Sequence, residues 1–257
     1  TPTPPDRPKM IKGSQPTDGA RLRSPAGGYI TTSNLILDAD EREKALERDP
    51  KINKWLRPFV GGDELISGAW RWCLWLKDAS PSELRDSEEI KERLARVRRG
   101  RLQSPTASVR KFADYPTVFT QNRQPDVDYL AVPEVSSENR RIIPIEILSP
   151  DVIASNKLQI IPSGELWHFG VLNSWMHMAW MRTVSGRLKS DYSYSPTVYN
   201  TFPWPGATPA QREKVEELAQ AVLDARESHP TSSLAALYDP DTMPANRTTE
   251  TLTLETR

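Results

Sequence analysis

Between Arg93 and Lys111 the chain carries seven basic residues and no acidic one: Arg93, Arg96, Arg98, Arg99, Arg101, Arg110 and Lys111. Arginine's planar fork suits two-pronged contact with phosphates and with guanine edges. The run crosses Gly100 into "LQSPTASVRK", a Ser/Thr-rich loop able to donate hydrogen bonds to phosphate oxygens. A helix end whose cations complement the helix dipole accounts equally well for Arg93 to Arg99. The continuation past Gly100 favours nucleic acid. The residues expected on a DNA backbone here are therefore Arg96, Arg98, Arg99, Arg101, Arg110 and Lys111. A second basic group, Arg182, Arg187 and Lys189, lies in "MRTVSGRLKSDYSYS", with Tyr192 and Tyr194 close behind. Helix capping and a phosphate clamp both fit it.

Residues that could read bases concentrate in segment 104–156. Its polar groups include Arg123, Gln124, Glu138, Asn139, Arg140 and Glu146. Arginine matches guanine, amides match adenine, and a carboxylate accepts from the amine of cytosine. Glu146 interrupts the apolar "IIPIEIL", so it faces either solvent across a strand or a partner. Solvent is the preferred reading.

Catalytic patterns are missing from the sequence. His168 and His177 lie nine apart and do not share a helix face as a metal pair would, and His229 stands alone. There is no HExxH, no nucleophile elbow and no Asn-Pro-Pro-aromatic tetrapeptide. "FVGGDE" holds two glycines without the rest of a dinucleotide fingerprint. The single cysteine, Cys73 in "WRWCLWL", supports neither an internal disulfide nor a cysteine zinc site and reads as a buried small hydrophobe. A reducing cytoplasm suits it.

The elements that must position these residues follow from periodicity and capping. The chain has 257 residues, zero formal net charge and 23 prolines, which predicts a loop-rich body and excludes a uniformly basic protein. No apolar run approaches the roughly 18 residues that a membrane-spanning helix needs. The opening "TPTPPDRP", without methionine, predicts a piece of something longer, and its first ~10 residues read as linker. Asp38 with Glu41 forms a capping box for a helix that Pro50 ends. "AWRWCLWL" reads as a buried strand, and "SPSELRDSEEIKERLARVRRGRLQS" as one helix capped by Ser82. "TVFTQ", "DYLAVP" and "RIIPIEIL" read as short strands with a hairpin turn at "EVSSENRR". "GELWHFGVLNSWMHMAWMRTVSGRL" reads as one long helix ended by Gly186. "TPAQREKVEELAQAVLDARESHP" reads as an amphipathic helix with Thr208 as cap and Pro209 first. The expected class is α+β: a small twisted sheet over residues 118–148, flanked by helices, with the C-terminal helix packed separately.

Seven stretches occur in an order that resembles the C-terminal part of the MmeI-like DNA methyltransferases, enzymes of type II restriction–modification. They are "KGSQPTDG", "NLIL", "WLRPFVGGDELISGAWRWCLWL", "RVRRGRLQS", "VPEVSSENRRIIPI", "LWHFGVLNSWMHMAWMRTVSGRLKSDYSYS" and "VYNTFPWP", covering roughly residues 10–205. The resemblance implies a DNA target recognition domain over 1–190 and a C-terminal segment over 191–257. Its partners would be double-stranded DNA and an upstream methyltransferase domain of the same parent chain. S-adenosylmethionine and methylation of adenine would belong to that upstream domain, leaving this chain without cofactor, metal or catalytic residue. "SPTVYNTFPWP", with three prolines and three aromatics, reads as neither strand nor helix. It is expected to be a rigid strap that packs Tyr199, Phe202 and Trp204 and fixes an inter-domain angle. An ordinary packed loop is the alternative. The rival for the whole chain is a protein–protein docking module anchored by some of its eight tryptophans.

Overall fold

A computed structural model describes residues 7–19, 21–23, 29–31 and 33–243. The class is α+β, with short strands gathered into small sheets. One four-stranded sheet runs in the order Ile11–Lys12, Leu158–Pro162, Tyr129–Pro133, Glu146–Leu148, every neighbour antiparallel. Its central strand is buried at all five positions. Alternation along the pleat sends Leu130, Val132 and Ile161 into one apolar cluster. Tyr129, Ala131, Leu158 and Ile160 enter another on the opposite face.

A second four-stranded sheet runs Ile153–Ala154, Leu56–Val60, Arg71–Leu74, Ile36–Leu37. Only its first pair is parallel. The helix Glu88–Leu102 covers it, placing Ile90 and Val97 in the cluster that holds Phe59, Leu74 and Cys73. Burial pushes the Cys73 thiol up, well out of reach of ionisation. A three-stranded sheet joins the hairpin Gly186–Leu188/Asp191–Ser193 to Val135–Ser136.

Local signals placed several elements correctly. Asp38 and Glu41 form the capping box of Ala39–Arg48, which Asp49 ends. Thr208 caps Pro209–Glu227 with proline first. Arg71–Leu74 is the expected tryptophan-rich strand.

Other elements differ, each for a definable reason. The single helix expected over "SPSELRDSEEIKERLARVRRGRLQS" with Ser82 as cap is two, Pro81–Arg85 capped by Ser80 and Glu88–Leu102 capped by Ser87. Residues 166–184 also split, into Leu166–Leu172 and Trp175–Val184, because the Ser174 side chain accepts from the His177 amide as a new N-cap. "TVFTQ" forms no strand, only a single bridge between Gln121 and Gln15. The main sheet extends beyond 118–148, recruiting strands from residues 11–12 and 158–162. Half of the proline-aromatic strap is helical: Ser195 caps Pro196–Thr201, and proline at the first position suits a helix start. The C-terminal helix does not pack separately. Its Ala219 enters the same core as Leu130 and Phe169, with Val222 and Leu223 packed against it, and Leu237 and Tyr238 of the short helix Leu234–Tyr238 join them.

Candidate nucleic-acid interface

Arg101 ends its helix fully buried, at 0% exposure. Its guanidinium uses all five N–H groups on backbone carbonyls. Nε donates to Thr17 (3.3 Å), Nη1 to Phe112 (3.0 Å) and Tyr115 (2.8 Å), Nη2 to Pro16 (3.0 Å) and Val118 (2.7 Å). Burial lowers its pKa, and the Asp18 carboxylate opposes that shift. The expectation of a phosphate contact at Arg101 is corrected: no donor remains, and the side chain faces inward. Arg93 is likewise internal, donating to Glu89 Oε1 at 2.6 Å and to the Asn34 carbonyl at 3.0 Å. Asp18, also buried, receives the Ser33 hydroxyl and the Asn34 and Leu35 amides. Burial raises its pKa against those hydrogen bonds.

The rest of the first basic group reaches the surface. Arg96 is half exposed, with Nε donating to Asn34 Oδ1 at 3.3 Å. Arg98 lies 3.7 Å from Asp114, both largely exposed. Such a pair contributes little in water and leaves the arginine available. Arg99 and Lys111 are exposed. Arg110 caps the carbonyls of Ser104 (2.8 Å) and Pro105 (2.9 Å) from an exposed position.

Strand pairing brings the second basic group to the polar loop at 137–141. Tyr192 pairs with Ser136, and the Glu138 amide donates to Asp191 Oδ1 at 3.3 Å. Arg187 lies over the Tyr192 ring at 3.9 Å, which fixes its plane. One of its nitrogens reaches Glu138 Oε2 at 3.3 Å. Lys189 sits at the hairpin turn with φ 57°, a left-handed conformation that aims an exposed side chain outward. Leu188 beside it is 60% exposed. Arg182 donates to the carbonyls of Arg140 (3.3 Å) and Arg141 (2.9 Å), so its first role is to hold the loop. Glu138 and Asn139 are exposed and Arg140 is half-buried. Arg141, exposed next to it, belongs to the same surface. The "NRR" doublet was its signal in the sequence.

Three base-reading expectations fare differently. Gln124 holds residues 150–154 in place: its amide donates to the Pro150 (3.1 Å) and Val152 (2.8 Å) carbonyls and accepts from the Ala154 amide (3.0 Å). With those groups engaged, it is corrected from base reader to structural clamp. Glu146 turns toward the C-terminal helix rather than out to solvent. Its Oε2 lies 3.7 Å from Arg226 of that helix, and its Oε1 accepts from the Ile147 amide at 3.1 Å. Arg123 remains exposed, its Nη1 donating to the Gly13 carbonyl at 3.2 Å and its backbone amide to Ser14 Oγ at 2.9 Å.

The Gly61–Gly62 turn after the strand Leu56–Val60 is closed by the protein's own side chains. A Cβ on Gly61 would stand 2.6 Å from Glu64 Oε2 and 2.9 Å from Ser155 Oγ, and Glu64 itself accepts from the Gly61 amide at 2.8 Å. Among the described residues no group of His, Cys, Asp and Glu could hold a metal, and no helix is long and apolar enough to cross a membrane.

Residues 1–206 match the family described as the MmeI target recognition domain, and residues 207–255 the MmeI C-terminal domain. The chain belongs to the MmeI family. The resemblance carried by the motifs is thus upheld over nearly the whole sequence. DNA methyltransferase A of Bacillus subtilis (strain 168) is 35% identical over 240 residues, 93% of this chain and 26% of that protein. The type IIL restriction-modification enzyme MmeI, solved in complex with DNA, superposes with a TM-score of 0.87 at 42% identity, covering 96% of this chain and 32% of that one. This chain therefore spans about a quarter of one relative and a third of the other. The two MmeI domains meet at 206/207. The boundary expected at 190/191 falls inside the Gly186–Leu188/Asp191–Ser193 hairpin.

Proposed function

We propose that this chain reads DNA sequence for an S-adenosylmethionine-dependent adenine methyltransferase of the restriction–modification type, whose catalytic domain lies upstream in the same parent protein. One observation carries the reading: the chain superposes over 96% of its length on an MmeI that was solved with DNA. The surface agrees with it. A two-stranded ribbon fits the major groove, and the hairpin presents Arg187, Leu188 and Lys189 next to Glu138, Asn139 and Arg140. Arg187 and Lys189 suit phosphates, Leu188 suits a thymine methyl, and the 137–141 loop suits base edges. Arg96, Arg98, Arg99, Arg110 and Lys111 provide a second backbone-holding surface.

The division of labour is physically sound. A methyltransferase extrudes its target base from the duplex, so a separate part must hold the duplex in register and read its neighbours. Methyl transfer is assigned to the parent's other domain. A cytoplasmic location follows from that function. The test is DNA binding across a salt series. A recognition domain loses affinity steeply, with a slope near 0.9 per phosphate contact in log K against log salt. A flat response would refute it and favour a docking module anchored by aromatic residues.

A further inference from the structure

We propose that Arg226, in the C-terminal domain, is a positioning residue for sequence reading: it sets the geometry of the 137–141 loop from across the domain boundary. The inference rests on the recognition function proposed above. Arg226 projects from Pro209–Glu227 and is 8% exposed. Its Nη1 donates to the Ile145 carbonyl at 2.8 Å and lies 3.7 Å from Glu146 Oε2. Its Nε donates to the Tyr238 hydroxyl oxygen at 3.0 Å, and Nη2 reaches the same atom. The guanidinium also stands 5.2 Å from the centre of the Phe169 ring and 5.0 Å from that of Tyr238.

These contacts fall on one end of a short span. Glu146–Leu148 is one of the two edge strands of its sheet, and Ile145 immediately precedes it. Ile142, Ile143 and Ile145 are buried in one apolar core, which anchors the chain between Arg141 and Glu146. The exposed loop with Glu138, Asn139 and Arg140 begins just upstream. Arg182 holds that loop's carbonyls at Arg140 and Arg141. Arg226 holds the span's other end. Two arginines, one from each domain, thus bracket the buried span from which the polar loop extends.

The chemistry distinguishes this from simple cohesion. Removing an arginine from water is costly, and well-packed apolar residues often serve stability equally well. A directional clamp on one carbonyl and one carboxylate gives something apolar packing does not: a fixed strand position relative to the C-terminal helix. A base edge is read only when donor and acceptor meet within hydrogen-bond distance and angle. A shift at Ile145 therefore degrades discrimination before it degrades phosphate binding.

The experiment uses the full-length parent, wild type and with Arg226→Met or Glu146→Gln, and sequences methylated positions after reaction with a DNA of mixed sequence. Glutamine at 146 retains the side chain's size and its acceptor for the Ile147 amide, so it decides the matter if Arg226→Met fails to fold. The expected result is a roughly five- to hundredfold loss of preference at one or more positions of the site, the range that one good base pairing supplies. Total DNA affinity and its salt slope should stay close to wild type. A role in stability alone would lower the melting temperature of both variants and leave the preferred site unchanged, and that result overturns the proposal. A wild-type parent that methylates with no preferred site would instead overturn the recognition function itself.

Discussion

Replacing Arg101 with alanine should damage the fold and leave the salt slope of DNA binding untouched. The side chain is fully buried, and each of its five donors meets a different carbonyl from two segments far apart in the chain: Pro16 and Thr17, and Phe112, Tyr115 and Val118. Not all five hydrogen bonds count in full, because water entering the cavity can satisfy some oxygens. With two or three carbonyls left unmet at about 1.5–2 kcal/mol each, the cost is about 3–6 kcal/mol. That is a large share of the ~5–15 kcal/mol that holds a typical domain together. At a urea slope near 3 kcal/mol per molar, the midpoint should fall by about 1–2 M. Arg101→Lys retains the charge but offers three tetrahedral donors in place of a planar five, so it should rescue little. Urea unfolding followed by circular dichroism gives the stability, and DNA binding at several salt concentrations gives the slope. A normal midpoint together with a slope flattened by about 0.9 would place this guanidinium on a phosphate and refute the burial argument.

The exposed members of the same run should behave in the opposite way. Arg98→Ala combined with Arg99→Ala should flatten the salt slope by about 0.9 for each phosphate no longer neutralised, equally for all DNA sequences, with unfolding unchanged. A midpoint shift without a slope change would count against them as backbone-binding residues. Gly170→Ala should destabilise by about 1–3 kcal/mol despite alanine's better helix propensity, because the new Cβ would lie 2.6 Å from Val215 Cγ1 and 3.1 Å from the Val215 carbonyl on the C-terminal helix. Thermal melting would expose the error if the variant were as stable as wild type. His177 is buried between the Leu172 carbonyl (Nδ1, 2.8 Å) and the Tyr194 hydroxyl (Nε2, 2.9 Å). A carbonyl only accepts, so Nδ1 carries the proton and Nε2 accepts from the tyrosine. Burial pushes the His177 pKa down to about 4, against its hydrogen bond to Leu172. The unfolded chain, titrating near 6.5, then takes up the proton first as pH falls. The resulting stability is complete above about pH 6.5 and is lost toward pH 4, by up to about 3 kcal/mol. Melting curves of wild type and His177→Gln over that range should converge in slope elsewhere and diverge there. Identical pH profiles would show that His177 titrates normally.

Much of the local structure was legible because its causes are local. Asp38 and Glu41 announce a helix start through their own side chains, and Thr208-Pro209 does the same. The breaks at Ser87 and Ser174 used the same chemistry, yet apolar periodicity running through both sites hid them. Periodicity also held an unused clue about Arg101. Ile90, Val97 and Arg101 lie on one helical stripe, and all three are buried. A basic residue on an apolar stripe points inward when it finds acceptors, and these came from residues 16–17 and 112–118, the first of them far along the chain.

By itself the sequence determined the family, the mixed class and most helix caps, because motifs and caps are properties of neighbouring residues. Only the tertiary structure decided which charges are available. Arg98 and Arg101 are three residues apart and chemically identical, yet one meets water and Asp114 while the other meets five carbonyls. Glu146 and Glu138 both stood among the base-reading candidates, and folding put Arg226 beside the first and an exposed hairpin beside the second. A side chain's type sets what it can bind. What it does bind depends on the groups that distant parts of the chain bring within about 3 Å, and on whether water remains there to compete.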